Sequence, residues 1–537
     1  MQPLDRTAWA VIGLLAVVIA AMLLLGSQAR PSVRSFSWQD QAVSAEDVAF
    51  MLTFTQPVEP QSVEKNLVIK PALAGKFSWA GRRMAYTLAV PAPYGESYTL
   101  SLPKADALGG QSGFEPFQAA FRTRDRIFAY IGAEGADQGR LIMFNLTRKE
   151  KTILTPEGQR VLNFQPYPER DRILFSAIDT KEKTEGLAIA SLYTVLTGLD
   201  ETAAPAKWKF WQHATKPLAA GTTELVLDNK DYQNLKFDLS PDGKVIVVQR
   251  VSNKNPADFG PWVIRAGEAP RPLKTEPGGD FTIAPDSQSL LLQQGQGTAV
   301  IALFPEAEKA NEPKGQSSDA LLDFLPEYGL TLDVATDGSA AALVNFNQDD
   351  PAKQYTQSLF WVSSAGVEKQ LLETDGSILS AKFSDNNQLL YCLVNRLVEG
   401  AGLGVATDSA ETSESGSDSS SASSNSGSSE LDLGEQTYQV VPYLSVINIK
   451  TGQEQKLLEM PPQPEITVSP SPDGIAILFD ETLVLDPQKT GSSFSGATDR
   501  LWLLPLFSTE AERMSEQPIP LPPTQLEVAG RHPLWLP

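Results

Sequence analysis

At 537 residues the chain is too long for one ordinary core and implies two to four domains, taking about 150 residues for each. Its formal charge of −21 sets long-range repulsion against phosphate backbones, which excludes nucleic acid as a general partner and disfavours binding of the soluble part to anionic lipid. With one cysteine, Cys392, and two histidines, His213 and His532, neither an intrachain disulfide nor a Cys/His zinc site can be assembled. Apolar residues make up 42% and charged residues 20%, a globular composition, while 38 Gly and 39 Pro cut the chain into many turns and lean it towards β structure.

The first element is apolar. Ala8 to Gly26 is nineteen residues without a charge, dense in Val, Ile and Leu, long enough to nearly cross a hydrocarbon core of about 30 Å and long for a signal-peptide core of about 7–15 residues. Residues 1–30 are therefore read as a membrane anchor with a transmembrane helix at 8–26; Ser27-Gln28-Ala29 leaves a cleaved signal as the alternative. Arg6 and the terminal amine flank one side and Arg30 and Arg34 the other, so charge barely sets the orientation. The amino terminus is placed inside, as in signal-anchors that export a long domain, with the soluble part in the periplasm or on the extracellular face.

Residues 31–125 carry short runs of period two: Val48, Phe50, Leu52 and Phe54; Met84, Tyr86 and Leu88; Tyr98, Leu100 and Leu102. Helical period does not recur. Turn residues interrupt the runs at Gly81, at Pro91 and Pro93 before Tyr94-Gly95, and at Gly109-Gly110, which predicts six or seven strands of a β-sandwich. Phe54-Thr55-Gln56-Pro57-Val58, Ser62-Val63, Ile69 with Pro71, Tyr98-Thr99-Leu100 and Phe121-Arg122-Thr123 together resemble the bacterial Ig-like domain of surface-layer proteins, a resemblance that implies a spacer or adhesion module.

From residue 126 to 537 one phrase repeats: an apolar strand, a turn, and a second strand that is apolar on both faces. Phe237 to Lys244 followed by Val245-Ile246-Val247-Val248 is the clearest copy, since Pro241 fixes φ, Asp242 bonds nearby backbone and Gly243 accepts positive φ. Variants start at Phe164, Phe281, Leu332, Phe383 and Val468, and the anchors Pro241, Pro285, Thr336 and Asp385 stand 44, 51 and 49 residues apart, close to the roughly 40–50 of a four-stranded propeller blade. Ile127–Ile131, Leu141–Asn145 and Thr152–Leu154 read as a blade lacking its innermost strand, which His532-Pro533-Leu534-Trp535-Leu536 can supply. The expected fold is all-β: anchor, sandwich, then about seven four-stranded blades closed by the last strand, with six or eight as alternatives. The phrase resembles the TolB-type, WD40-like propeller family over residues 126–537, which implies a periplasmic protein that binds other envelope proteins. An Ig-like domain and a membrane segment stand where that family has an α/β domain, so no particular partner carries over.

Residues 400–436 are mostly Ser, Gly, Asp and Glu, and no basic residue lies between Arg396 and Lys450, so this insert is expected to be disordered within one blade. No catalytic or cofactor residue is expected. A Gly-x-Ser-x-Gly elbow is absent, Gly491-Ser492-Ser493-Phe494-Ser495-Gly496 has the wrong spacing, and Cys392 sits in the apolar run Leu389 to Val394. Asp228-Asn229-Lys230-Asp231 and Asn347-Gln348-Asp349-Asp350 could offer oxygen ligands to calcium but lack the spacing of a cation loop. The leading expectation is a membrane-tethered envelope scaffold, not an enzyme, whose propeller engages a protein or glycan. A propeller hydrolase or lyase with a calcium-supported central site is the alternative, and a signalling sensor is disfavoured by the few residues ahead of the anchor.

Overall fold

The computed structural model describes residues 9, 11–20, 30–108, 113–180, 190–199, 219–304, 321–399, 438–484 and 497–537. Of the expected anchor, residues 11–20 are helical, and no described helix is long and apolar enough to cross a membrane. His213, the whole 400–436 insert and Gly491–Gly496 lie outside the described residues. The chain divides into two compact units, residues 1–273 with 466–537, and residues 274–465.

Two four-stranded sheets open the first unit. One has β1 (Val33–Phe36), β3 (Ala49–Phe54), β6 (Arg83–Leu88) and β5 (Gly75–Ala80) in that order; the other has β2 (Ala42–Val43), β8 (Phe117–Thr123), β7 (Ser97–Leu102) and β4 (Val68–Lys70). Their inner faces share one core, because alternation sends Phe50, Leu52 and Phe54 inward from one sheet and Tyr98, Leu100 and Leu102 from the other. Trp38 meets Phe50 at 5.3 Å and Phe121 at 5.1 Å between ring centroids, bridging the sheets. Each such fully buried side chain contributes about 1.5–3 kcal/mol over its exposed state.

Two sequence expectations fail here. Val48 precedes β3 and is half exposed instead of continuing its buried face. A short helix, Pro60–Asn66, replaces the all-strand reading: Pro60 presets the first helical φ, and with Val63 as its one buried residue the helix is too short to show a period.

Six further sheets follow: five are four-stranded antiparallel meanders in chain order, and one is seven-stranded, its last strand in chain order lying between two three-stranded runs so that it forms two four-strand blades. In the first unit, β9 (Ile127–Gly132), β10 (Leu141–Asn145) and β11 (Glu150–Ile153) precede β12 (Gln159–Pro166), β13 (Arg172–Asp179), β14 (Ser191–Leu196) and β15 (Thr223–Leu227). Next come β16 (Tyr232–Leu239), β17 (Val245–Ser252), β18 (Phe259–Arg265) and β19 (Arg271–Pro272). The second unit holds the fourth to sixth blades. These are β20 (Phe281–Ile283) to β23 (Leu321–Leu325), β24 (Leu330–Val334) to β27 (Glu368–Thr374), and β28 (Ser377–Phe383) to β31 (Glu454–Glu459). The seventh, back in the first unit, is β32 (Val468–Pro470), β33 (Ala476–Val484) and β34 (Ala497–Pro505), completed by β35 (Thr524–Trp535).

β35 is shared. Its first half pairs with β34 (Leu503 opposite Thr524), its second half with β9 (Leu534 opposite Ala129), so one strand completes both the seventh and the first blade. Trp535 packs edge-on against Phe128 at 5.8 Å.

The repeated turn has one geometry in six copies. Ser240 N–H donates to the Val245 carbonyl and Gly243 N–H to the Ser240 carbonyl, each at 2.8 Å, and the same pair of bonds recurs at Tyr167, Ala284, Ala335, Ser384 and Ser471. The residue three places on is left-handed every time: Gly243, Gly338 and Gly474 take it at φ 69°, 71° and 69°, whereas Arg170, Ser287 and Asn387 adopt it at 61°, 56° and 56°. Neighbouring blades are tied by a second repeated bond, from a side chain two residues before the turn to the next blade's inner strand. Gln165 Oε1 accepts Leu239 N–H at 3.0 Å, Asp333 Oδ2 accepts Phe383 N–H at 2.8 Å, and Ser469 Oγ accepts Trp535 N–H at 3.2 Å.

The Cα of Gly530 lies so close to β9 that a Cβ there would overlap the Tyr130 ring and stand 2.9 Å from the Ile131 carbonyl oxygen, whereas one at Gly338 would meet nothing within 4 Å. Gly530→Ala is therefore expected to cost about 1–3 kcal/mol through overpacking. Gly338→Ala is expected to cost about 1 kcal/mol through backbone strain alone. Denaturant midpoints measure both, and an unchanged midpoint for Gly530→Ala would contradict the packing of β35 on β9.

Candidate functional site

The sandwich is fastened to the seam between the seventh and first blades, inside the first unit. Asp473, in the Pro472-Asp473-Gly474 turn, is 3% exposed; its Oδ2 accepts the Tyr94 N–H at 2.8 Å and its Oδ1 the Ser471 hydroxyl at 2.6 Å. The Tyr94 hydroxyl in turn accepts the Ala45 N–H at 2.9 Å, and burial pushes the phenol's pKa up. A turn carboxylate from the last blade thus reaches a loop of the first domain, and a tyrosine carries the contact on into the sandwich.

Arginines surround this contact. Arg126 Nε donates to the Tyr94 carbonyl at 3.1 Å and Arg124 Nη1 to the Pro537 carbonyl at 3.3 Å, while the buried Arg513 donates to the Pro91 carbonyl. Arg513 is carried by the helix Glu510–Met514, whose start is fixed by a reciprocal cap between Thr509 and Glu512. At the same turn position in the third blade, Asp242, with its side chain 38% exposed, accepts from Ser240 Oγ at 2.7 Å and lies 3.3 Å from Lys244 Nζ.

Beside the sandwich exit lies a cavity of about 370 Å³, lined by Asp125, Asn145, Arg148 and Glu150 on one side and by Thr197 and Leu199 on another, over Ile127 and Met143. Asp125 organises its polar wall, accepting from Arg148 Nε at 2.7 Å, Arg122 at 2.8 Å and Asn145 Nδ2 at 2.9 Å.

Among the described residues, those weighed from the sequence are not brought together. Cys392 is fully buried in β29 (Leu389–Glu399), and burial pushes its thiol pKa far up, away from nucleophilic use. His532 lies in β35 at φ 56°, with Nδ1 3.1 Å from Thr467 Oγ1. In the first acidic loop Lys230 lies 3.6 Å from Asp228 and Lys254 3.1 Å from Asp231. In the second, Asn347 Nδ2 donates to Thr356 Oγ1 at 2.8 Å and Asp350 Oδ1 accepts the Ala352 N–H at 2.9 Å. Among the described residues no group of three His, Cys, Asp or Glu is placed to hold a metal ion.

Sequence reasoning missed the fastening. It read Tyr94-Gly95 and Pro472-Asp473-Gly474 as turns, and nothing local separates Asp473 from Asp242. Arg122, Arg124 and Arg126, at alternate positions where the sandwich ends, are the one signal that could have marked a charged junction.

No protein-family model and no curated protein matches the chain. Among solved structures it is similar to TolB from Acinetobacter baumannii, at 11% identity and a TM-score of 0.38, over 88% of this chain and 83% of that one. It is also similar to oligogalacturonate lyase from Vibrio parahaemolyticus, at 10% identity and a TM-score of 0.37, over 71% and 92%. Likeness at this level leaves the chain's fold and role to its own strands and side chains.

Asp473→Ala removes the acceptor of a buried N–H and is expected to cost about 2–3 kcal/mol. Asp242→Ala, at the exposed copy of the same turn, is expected to cost less than about 1 kcal/mol. Limited proteolysis should cut near Arg124–Arg126 faster in Asp473→Ala only; equal cutting in both variants would contradict the fastening.

Proposed function

We propose that the chain is a membrane-tethered scaffold of the bacterial cell envelope, without catalysis of its own, whose TolB-like β-propeller engages a protein or glycan partner. In this reading the uncharged segment 8–26 is the tether, and an Ig-like sandwich stands between it and the blades. The observation that supports it is the buried bond from Asp473 to Tyr94, flanked by Arg126 and Arg513. A spacer joined only by a linker leaves domain orientation free, whereas buried hydrogen bonds to a charged group fix it. Fixed orientation serves a scaffold, because a partner gripped by the blades is then held at a defined attitude to the membrane. The cavity beside Asp125 and Arg148 offers a place for a polar group of that partner.

In intact spheroplasts, added protease is expected to degrade the soluble part, and full protection would contradict the export reading. Affinity capture from envelope extracts in several detergents is expected to recover one partner in stoichiometric amount with the wild-type chain, and less with Asp473→Ala. Recovery at background, or stoichiometric calcium with turnover on lactones or glycans, would overturn the scaffold in favour of an enzyme.

A further inference from the structure

Asp480 of β33 (Ala476–Val484) joins two distant parts of the chain. Its carboxylate is 7% exposed; Oδ1 accepts the Thr467 N–H at 2.6 Å and Oδ2 the His532 N–H at 2.7 Å. Thr467 leads into β32, the short inner strand of the seventh blade. His532 occupies the irregularity between Arg531 and Leu534 in the half of β35 that pairs with β9. Its φ of 56° is a left-handed conformation that a non-glycine residue holds only when its surroundings impose it. One carboxylate therefore grips both the entry to the last blade and the strand that completes the first.

The His532 ring sits edge-on to Phe164 of the second blade at 5.5 Å and reaches Thr467 Oγ1 through Nδ1. From β34, Asp499 adds charge of the same sign, and Arg500 is engaged by Glu134 at 2.9 Å. Glu481 is the next residue on β33, opposite Arg500, and Arg531 on β35 is paired opposite Ile131. Burial, reinforced by Asp499, outweighs the backbone N–H bonds from His532, Thr467 and Asp480 itself and pushes the Asp480 carboxyl up to about 6.

We propose that Asp480 is a proton-responsive clasp on the closing strand, so that the seam between the first and seventh blades becomes harder to open as this carboxyl gains its proton. The sign follows from linkage. The closed seam holds the proton up to about 6, whereas a solvated aspartate releases it near 3.9, so between those values the closed state binds more protons. The stabilisation is fully present below the solvated value and is lost as pH rises through about 6. An envelope protein with such a group would hold its blades most firmly under mild acidity.

Native-state hydrogen exchange of β9 and β35 in the full chain, corrected for intrinsic rates, tests this at pH 7.5 and 5.0. The open fraction of the seam, taken relative to Asp480→Asn, is expected to fall roughly tenfold or more in the wild type. His532→Gln should keep that dependence, and Asp499→Asn should move its midpoint to lower pH. A dependence equal in wild type and Asp480→Asn, or one that vanishes in His532→Gln, would overturn the proposal. Should Asp480→Asn fail to fold, a carboxyl-carbon titration of the wild-type chain decides: a midpoint near 6 supports the clasp, and an ordinary aspartate midpoint refutes it.

Discussion

The structure of the first unit depends on β35 being hydrogen bonded to β34 along one half and to β9 along the other. β9 stands near the start of the blades and β35 at the end of the chain, so this pairing joins segments separated by most of the sequence. The entropic cost of such a closure grows only logarithmically with the residues enclosed, by about 0.6 kcal/mol for each doubling. A modest set of contacts can therefore hold it: Trp535 on Phe128, the tight approach of Gly530 to Tyr130, the Ser469 bond to Trp535, and the grip of Asp480 on His532.

The sandwich is fastened at the same seam. Arg124 holds the carbonyl of Pro537 and Asp473 of the seventh blade holds Tyr94, so first domain and last blade are tied at the place where the chain's β meanders meet. Tyr94 and Arg124 thereby join the sandwich to the turn between β32 and β33 and to the residues that follow β35. The turn that does this repeats one whose third-blade copy carries a partly exposed carboxylate. In Asp242 the carboxylate closes its own turn, whereas in Asp473 one oxygen does so and the second is left for Tyr94.

What the sequence disclosed is what local backbone chemistry dictates. Pro-Asp-Gly announces the turn because its geometry needs fixed φ and then positive φ, and the copies with Arg170, Ser287 and Asn387 in the left-handed place were found through their apolar flanks. Period two gave the inner faces of β3, β6 and β7, and the last strand betrayed itself because the first blade lacked a partner. Helix Pro60–Asn66 escaped because one buried residue makes no period. The two carboxylates that matter most, Asp473 and Asp480, escaped for a different reason. Their burial and partners are supplied by residues far away in sequence, Tyr94 for one and His532 for the other, and no local window contains both members of either pair.

The pairing of β35 with β9 is most directly tested by a disulfide across it, since directly opposed residues on antiparallel strands bring their Cβ atoms to about 4.5–5.5 Å. With Cys392 replaced by serine, Ala129→Cys with Leu534→Cys places two thiols at an observed pair, and Ala129→Cys with Trp535→Cys places them one residue out of step. Rapid, near-complete oxidation of the first pair alone, with a raised melting temperature, is the expected result. Failure of the first pair to close while the second closes would show that the last strand does not complete the first sheet in this register.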